Sequence, residues 1–203
     1  MNIVERVKKI LLQPKSEWQI IASETTTTGE LYRSYIIPLA AIGPVASIIG
    51  MSIVGVSMPY VGTYRVPLGA SITHAVVSYA LTLVGVYLLS LIINALAPTF
   101  SGEKDGTQAL KVAAYSSTAA WLAGIFALIP MLGFLGLLGL YSLYLLYLGL
   151  PVLMKTSSEK ALIYTVVVVI SAIVIFFIVG AISNVFISYP SSTMHMPGMP
   201  GMR

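Results

Sequence analysis

Five long apolar runs, none containing an acidic residue, leave this chain few ways to fold. They cover about Tyr35–Ser57, Leu68–Leu96, Gln108–Leu128, a fourth from the Ile129-Pro130-Met131 step to about Met154, and Ala161–Ile187. A bilayer core of roughly 30 Å is crossed by about 20 apolar residues in an α-helix, and each run reaches that length. Inside lipid a spanning segment must satisfy its own backbone N–H and C=O groups, which selects helix for runs of this kind. The second run is longer than a perpendicular crossing needs and implies tilt or an extension beyond the core. The expectation is an all-α polytopic membrane protein: five transmembrane helices preceded by a short amphipathic amino-terminal helix. Composition agrees. Of 203 residues, 57% are hydrophobic and 9% charged, against roughly 25% charged in soluble domains. That leaves too little polar surface to cover a water-facing globule.

Residues 1–34 read as a cytoplasmic amphipathic segment and begin too polar for a cleaved signal peptide. Ile3, Val7, Ile10 and Leu11 fall at helical spacing, with Glu5, Arg6, Lys8 and Lys9 on the other faces. A basic amphipathic helix can lie among headgroups and attract anionic lipid, so Arg6, Lys8, Lys9 and Trp18 are the expected lipid surface. Pro14 should end this helix, and Ser16 with Gln19 suggests a capping box for a second. Thr25–Thr28 reads as a linker and Met58–Pro67 as a short loop. Gly43-Pro44 should bend the first span. Residues 35–187 then form the five-helix domain, and 188–203 a poorly ordered Met-rich outer tail.

Basic residues orient the bundle. With five spans, Arg6, Lys8, Lys9, Lys15, Arg33, Lys104, Lys111, Lys155 and Lys160 share one side, and only Arg65 and Arg203 fall on the other. The positive-inside rule puts the first set in the cytoplasm. The net charge of +4 therefore reports topology rather than nucleic-acid binding.

Chemistry is sparse. There is no cysteine, which removes thiol nucleophiles, disulfides and thiolate metal sites. No phosphate-binding glycine loop, HExxH or GxSxG is present, so an enzyme has no support and no cofactor is expected. Lys111 lies one turn into the third run, where it can snorkel. His74, alone near the outer end of the second, reads as an interfacial histidine or as a pH-sensitive group. Ser116, Ala120 and Gly124, together with Gly133 and Gly136, form small-residue stripes for close packing, within the chain or between two copies. Tyr141 and Tyr144, with Ser90, Asn94 and Tyr115, are candidates for one polar seam: a passage, or a ladder of internal hydrogen bonds. In the tail, Met194, His195, Met196 and Met199 are the ligand types that suit Cu(I) or Ag(I).

The stretches IPLAAIGPVAS at Ile36–Ser47, APTFSGEKDGTQALKVAAYSSTAAWLAGIFALIP at Ala97–Pro130 and YSLYLLYLGLPVLMK at Tyr141–Lys155 resemble the YIP-domain family (Ypt-interacting-protein type). The resemblance is to its short prokaryotic branch, and LLQPKSEW at Leu11–Trp18 looks like that branch's lead-in. The resemblance implies five spans with a cytoplasmic amino terminus and, in eukaryotic relatives, a role in membrane traffic through small prenylated GTPases. For this chain the expected role is non-enzymatic membrane organisation or scaffolding in a bacterial inner membrane. The expected partners are membrane lipid and either further copies or other membrane proteins. A passive pore or a lipid or solute pathway is the alternative.

Overall fold

The computed structural model describes residues 2–58 and 62–185. Two short helices open the chain, α1 (Ile3–Leu12) and α2 (Pro14–Ser23). α1 stops at Leu12, with Gln13 already non-helical before Pro14 as expected, and Pro14 itself occupies the first turn of α2, where its missing N–H is not needed. Ser16 bonds back to the Gln13 carbonyl instead of capping a helix.

The first long helix, α3 (Thr28–Val54), begins well before Tyr35. Its start is a capping box at Thr27 and Glu30, beginning inside the stretch expected to be linker: the Thr27 hydroxyl accepts from the Glu30 N–H, and the Glu30 carboxylate accepts from the Thr27 N–H. The helix is irregular where proline removes donors. A π turn at Tyr32–Ile36 precedes Pro38, and the helix breaks at Ala41, three residues before Pro44. The expected loop at residues 58–67 contains order. β1 (Val56–Met58) pairs antiparallel with β2 (Gly62–Tyr64), and Val56 lies opposite Tyr64.

Then follow α4 (Leu68–Leu96), α5 (Gly106–Ser116) capped by the Asp105 carboxylate, and α6 (Thr118–Ala123). Two 3-10 segments, Gly124–Leu128 and Pro130–Leu140, meet at Ile129, whose extended backbone is what a residue before proline prefers. They pack on each other as a hairpin. The chain ends in α7 (Tyr141–Leu153) and α8 (Ser158–Val185).

Four of these helical stretches are long and apolar enough to cross a membrane: Thr28–Val54, Leu68–Phe100, Pro130–Leu153 and Glu159–Ile182. The segment from Gly106 to Leu128 runs parallel to α3. Tyr35 lies beside Tyr115 and Thr118, Gly43 beside Gly124, and Gly50 beside Ala127.

The core is uneven along the bundle. Its buried cluster gathers Ile10, Trp18, Ile21, Ile36, Ile93, Leu110, Leu150 and Tyr164 toward one end. At the other end Met131, Phe134, Leu137, Phe176 and Phe177 point outward. A soluble protein does not expose such a belt, whereas lipid solvates it. Tyrosine hydroxyls tie the helices across this apolar interior: Tyr32 donates to the Leu83 carbonyl (2.8 Å), Tyr79 to Ile37 (2.9 Å) and Tyr164 to Ile93. The core also crosses residue 34 without interruption, so residues 1–34 are part of the bundle's packing rather than a separate segment.

Candidate functional site

The end of the bundle where the core is densest carries a clasp built from α1 and α2. Ile3, Arg6, Val7 and Ile10 share one face of α1, so Arg6 sits within the apolar stripe and not on a polar face. Pro14, Glu17, Trp18 and Ile21 do the same on α2. When the two faces fold inward, Arg6 and Glu17 are carried inside together, 5% and 2% exposed. Arg6 donates to Glu17 and, through its other terminal nitrogen, to Glu24. Its guanidinium lies 5.6 Å from the centre of the Tyr115 ring, which also meets Tyr35 (4.5 Å) and the edge of Trp18 (6.3 Å). Burial works against the Arg6 charge, but the Glu24 hydrogen bond and the nearby carboxylates outweigh it and hold its pKa above the usual value.

Lys111 completes the clasp. It does not snorkel: at 1% exposure its ammonium donates to the carbonyls of Ile21 (2.9 Å) and Glu24 (2.5 Å). These are orphan carbonyls at the end of α2, where the helix dipole also favours a cation. Gln108 adds a bond to the Ala22 carbonyl (3.1 Å). Trp18 packs so closely on α7 that Gly149 has no room for a side chain: a Cβ there would lie 2.6 Å from the indole. The loops at residues 101–105 and 154–160 meet at this same end, through the Lys155–Glu103 pair (2.6 Å) and a Lys160–Ser101 bond (2.8 Å).

Of the expected lipid surface, then, Arg6 and Trp18 are interior. Arg6 has charges beside it in sequence, which resembles a polar face, whereas nothing in the sequence marks Trp18 as buried rather than interfacial. Lys8 stays exposed, and Lys9 pairs with Glu5 one turn away (2.8 Å). The outward face of the clasp carries Val4 and Leu12, each 69% exposed, with Lys8 between them.

The polar seam does not assemble. Ser90 is buried and donates to the Tyr87 carbonyl of its own helix (2.7 Å), and the Asn94 side-chain oxygen is buried without a partner among the described residues. Tyr115 belongs to the clasp. Tyr141 and Tyr144 stand on the exposed face of α7, ring against ring at 5.4 Å, and the Tyr141 hydroxyl donates to the Leu11 carbonyl (3.0 Å).

The small residues divide. Gly124 approaches Gly43 so closely that a Cβ on Gly124 would meet the Gly43 Cα at 2.8 Å, and Gly139 packs on Ala120. Ser116 is buried and bonds to Ala113 (3.3 Å). Gly133 and Gly136 face open space, on the exposed side of a 3-10 segment that packs through its other side. They do not pack against the third run, as expected of them. Pro44 acts by breaking α3. Gly50, not singled out from sequence, is the tightest approach: a Cβ would lie 1.9 Å from the Ala127 carbonyl oxygen.

Two openings flank the clasp. A polar cleft of about 500 Å³ lies in front of Arg6, lined by Ser23, Glu24, Thr25, Thr26 and Ser34. An apolar groove of about 670 Å³ runs from Leu11 and Tyr141 along Ile42, Leu122, Phe126 and Leu138. Among the described residues no cluster of three His, Cys, Asp or Glu side chains is placed to hold a metal. Met194, His195, Met196 and Met199 lie outside the described residues.

No curated protein and no solved structure matches this chain. The family model of the Yip1 domain matches residues 8–181, a stretch that takes in the second half of α1, all of α2 and the bundle to within four residues of the end of α8. The chain therefore belongs to the Yip1-domain family of membrane proteins.

Proposed function

We propose that this protein is a five-span, non-enzymatic scaffold of a bacterial inner membrane, working as a homo-oligomer or with other membrane proteins. The third crossing is Gly106–Leu128, with Ser117 as its kink. Its parallel register with α3 supports this, since two parallel neighbours cross in the same sense. The amino terminus and the loops at 101–105 and 154–160 are then cytoplasmic, and the carboxy-terminal tail is periplasmic. The lysines of those loops fit the positive-inside rule.

The observation that carries the scaffold reading is the clasp: a surface element anchored by a buried ion pair and a buried tryptophan, yet displaying Val4 and Leu12 outward. An element held that rigidly, with apolar side chains left unburied, is suited to docking against partners or lipid at low ordering cost.

Because the chain has no cysteine, topology is directly measurable. Thr26→Cys, Lys104→Cys and Ser157→Cys should label only from the cytoplasmic side, and Thr63→Cys only from outside. For scaffolding, purified protein labelled at Ser157→Cys is reconstituted in liposomes and energy transfer between copies is followed against dilution in lipid. Saturable transfer that weakens in the Val4→Ser/Leu12→Ser variant is the expected result. Transfer no greater than random collision, combined with leakage of an entrapped small solute, would sink the scaffold reading in favour of a pore.

A further inference from the structure

We propose that the polar cleft in front of Arg6 binds an organic cation through its N–H groups, a guanidinium or a primary ammonium. The cleft's volume of about 500 Å³ lies within the range of about 300–1,000 Å³ typical of small-molecule sites. One of the groups lining it has no task inside the protein. Tyr115 is only 7% exposed, yet its hydroxyl has no hydrogen-bond partner among the described residues, whereas the Tyr35 hydroxyl beside it meets Thr118 at 2.7 Å. That oxygen is not sealed in protein, as the indole N–H of Trp18 is, and the cleft is the opening that Tyr115 lines. A phenol buried this deeply is ordinarily paired, so the free hydroxyl marks where a ligand completes the site.

The remaining side chains at the cleft are set to accept. Ser23 and Ser34 spend their hydroxyl hydrogens on the carbonyls of Ile20 (2.9 Å) and Glu30 (2.6 Å), which leaves their oxygen lone pairs free. Glu24 gives one carboxylate oxygen to Arg6, while the other has no partner among the described residues and the side chain is 38% exposed. A cleft edged by acceptors selects a ligand rich in donors.

Charge makes that ligand a cation. The places that would attract an anion are filled by the chain's own carboxylates: the Arg6 guanidinium by Glu17 and Glu24, and the start of α3 by Glu30. With Arg6 and Lys111 as the cations facing these three carboxylates, the surroundings keep an excess of negative charge. A metal ion is poorly served, since Glu24 is the one carboxylate lining the cleft. A quaternary ammonium would need an open aromatic face, and the Tyr115 ring is already engaged by Arg6 at 5.6 Å and by the Tyr35 ring at 4.5 Å. What fits is a cation recognised by its N–H groups. Neither the number of spans nor the scaffold role enters this argument.

The test uses the full chain in detergent micelles, with binding read by titration calorimetry and by the rise of the thermal melting transition. Four probes are compared: agmatine, which carries a guanidinium and an ammonium; choline, a cation with no N–H; inorganic phosphate; and a blocked Gly-Arg-Gly peptide. Agmatine should bind, and choline and phosphate should not. Binding of agmatine, with or without the peptide, points to a soluble amine; binding of the peptide alone points to a basic side chain on a partner protein. Tyr115→Phe removes a hydroxyl that bonds to nothing in the protein. It should leave the melting of the free protein unchanged and weaken the bound probe about tenfold or more. Glu24→Gln keeps the shape, removes the charge and should weaken binding comparably. Should it loosen the clasp, Ser34→Leu, at an exposed position on the cleft, blocks entry without touching the ion pairs. Failure of both agmatine and the peptide to bind, equal binding of choline, binding of phosphate, or an affinity unmoved by Tyr115→Phe would overturn the proposal.

Discussion

The contact between Trp18 and Gly149 allows a quantitative test of whether the clasp is packed into the bundle or merely rests on it. A methyl group on Gly149 would meet three indole atoms at 2.6–2.8 Å, whereas ordinary contact begins at 3.4 Å. The ring would have to retreat by 3.4 − 2.6 = 0.8 Å, and at 0% exposure it has nowhere free to go. Overpacking of a tight core costs about 1–3 kcal/mol. Alanine also favours helix over glycine by roughly 0.5–1 kcal/mol. Gly149→Ala should therefore destabilise by about 0.5–2 kcal/mol net. In a Trp18→Leu background the clash vanishes and only the propensity gain remains, so the same substitution should be neutral or stabilising by up to about 1 kcal/mol. The assay is equilibrium unfolding in mixed micelles followed by circular dichroism, on the wild type, both single variants and the double variant. An equal cost of Gly149→Ala in both backgrounds, or none in the wild type, would refute the packing argument.

Other outcomes follow from the same geometry. Arg6→Ala should cost about 3–5 kcal/mol by stranding the Glu17 carboxylate, and Arg6→Met/Glu17→Leu should recover most of that loss in the same unfolding assay. Lys111→Met removes two bonds to the end of α2, so limited proteolysis should cut faster at Glu24–Thr27 while the bundle stays intact. Gly50→Ala should cost about 1–3 kcal/mol or more, because the atom in the way is a backbone oxygen; Gly133→Ala and Gly136→Ala, in open space, should cost nothing measurable. Gly124→Ala should be worse than Gly43→Ala, since a Cβ on Gly43 meets only ordinary contact at 3.7 Å and thermal melting should rank the two accordingly.

Local signals determined much of this protein. Charge-poor runs of sufficient length made the helices, and α4 occupies Leu68–Leu96, the residues its apolar run marks out. Proline placed the breaks in α3 and the turn at Ile129, because a missing N–H acts wherever it falls. What sequence did not determine is which faces meet. In α4 and α8 apolar residues surround the axis, and lipid is as apolar as a neighbouring helix, so no amphipathic stripe says which side is inside. That is why Gly133 and Gly136 looked equivalent to Gly124, and why the seam residues, plausible partners by spacing, ended on unrelated faces. The clasp shows the converse. Arg6, Glu17 and Lys111 are each unremarkable alone, and only the fold brings a cation, a carboxylate and the free carbonyls of α2 close enough to satisfy one another inside. Burying a charge is possible only with its partner present, and pairing residues 11 or 90 positions apart is a decision of the tertiary structure.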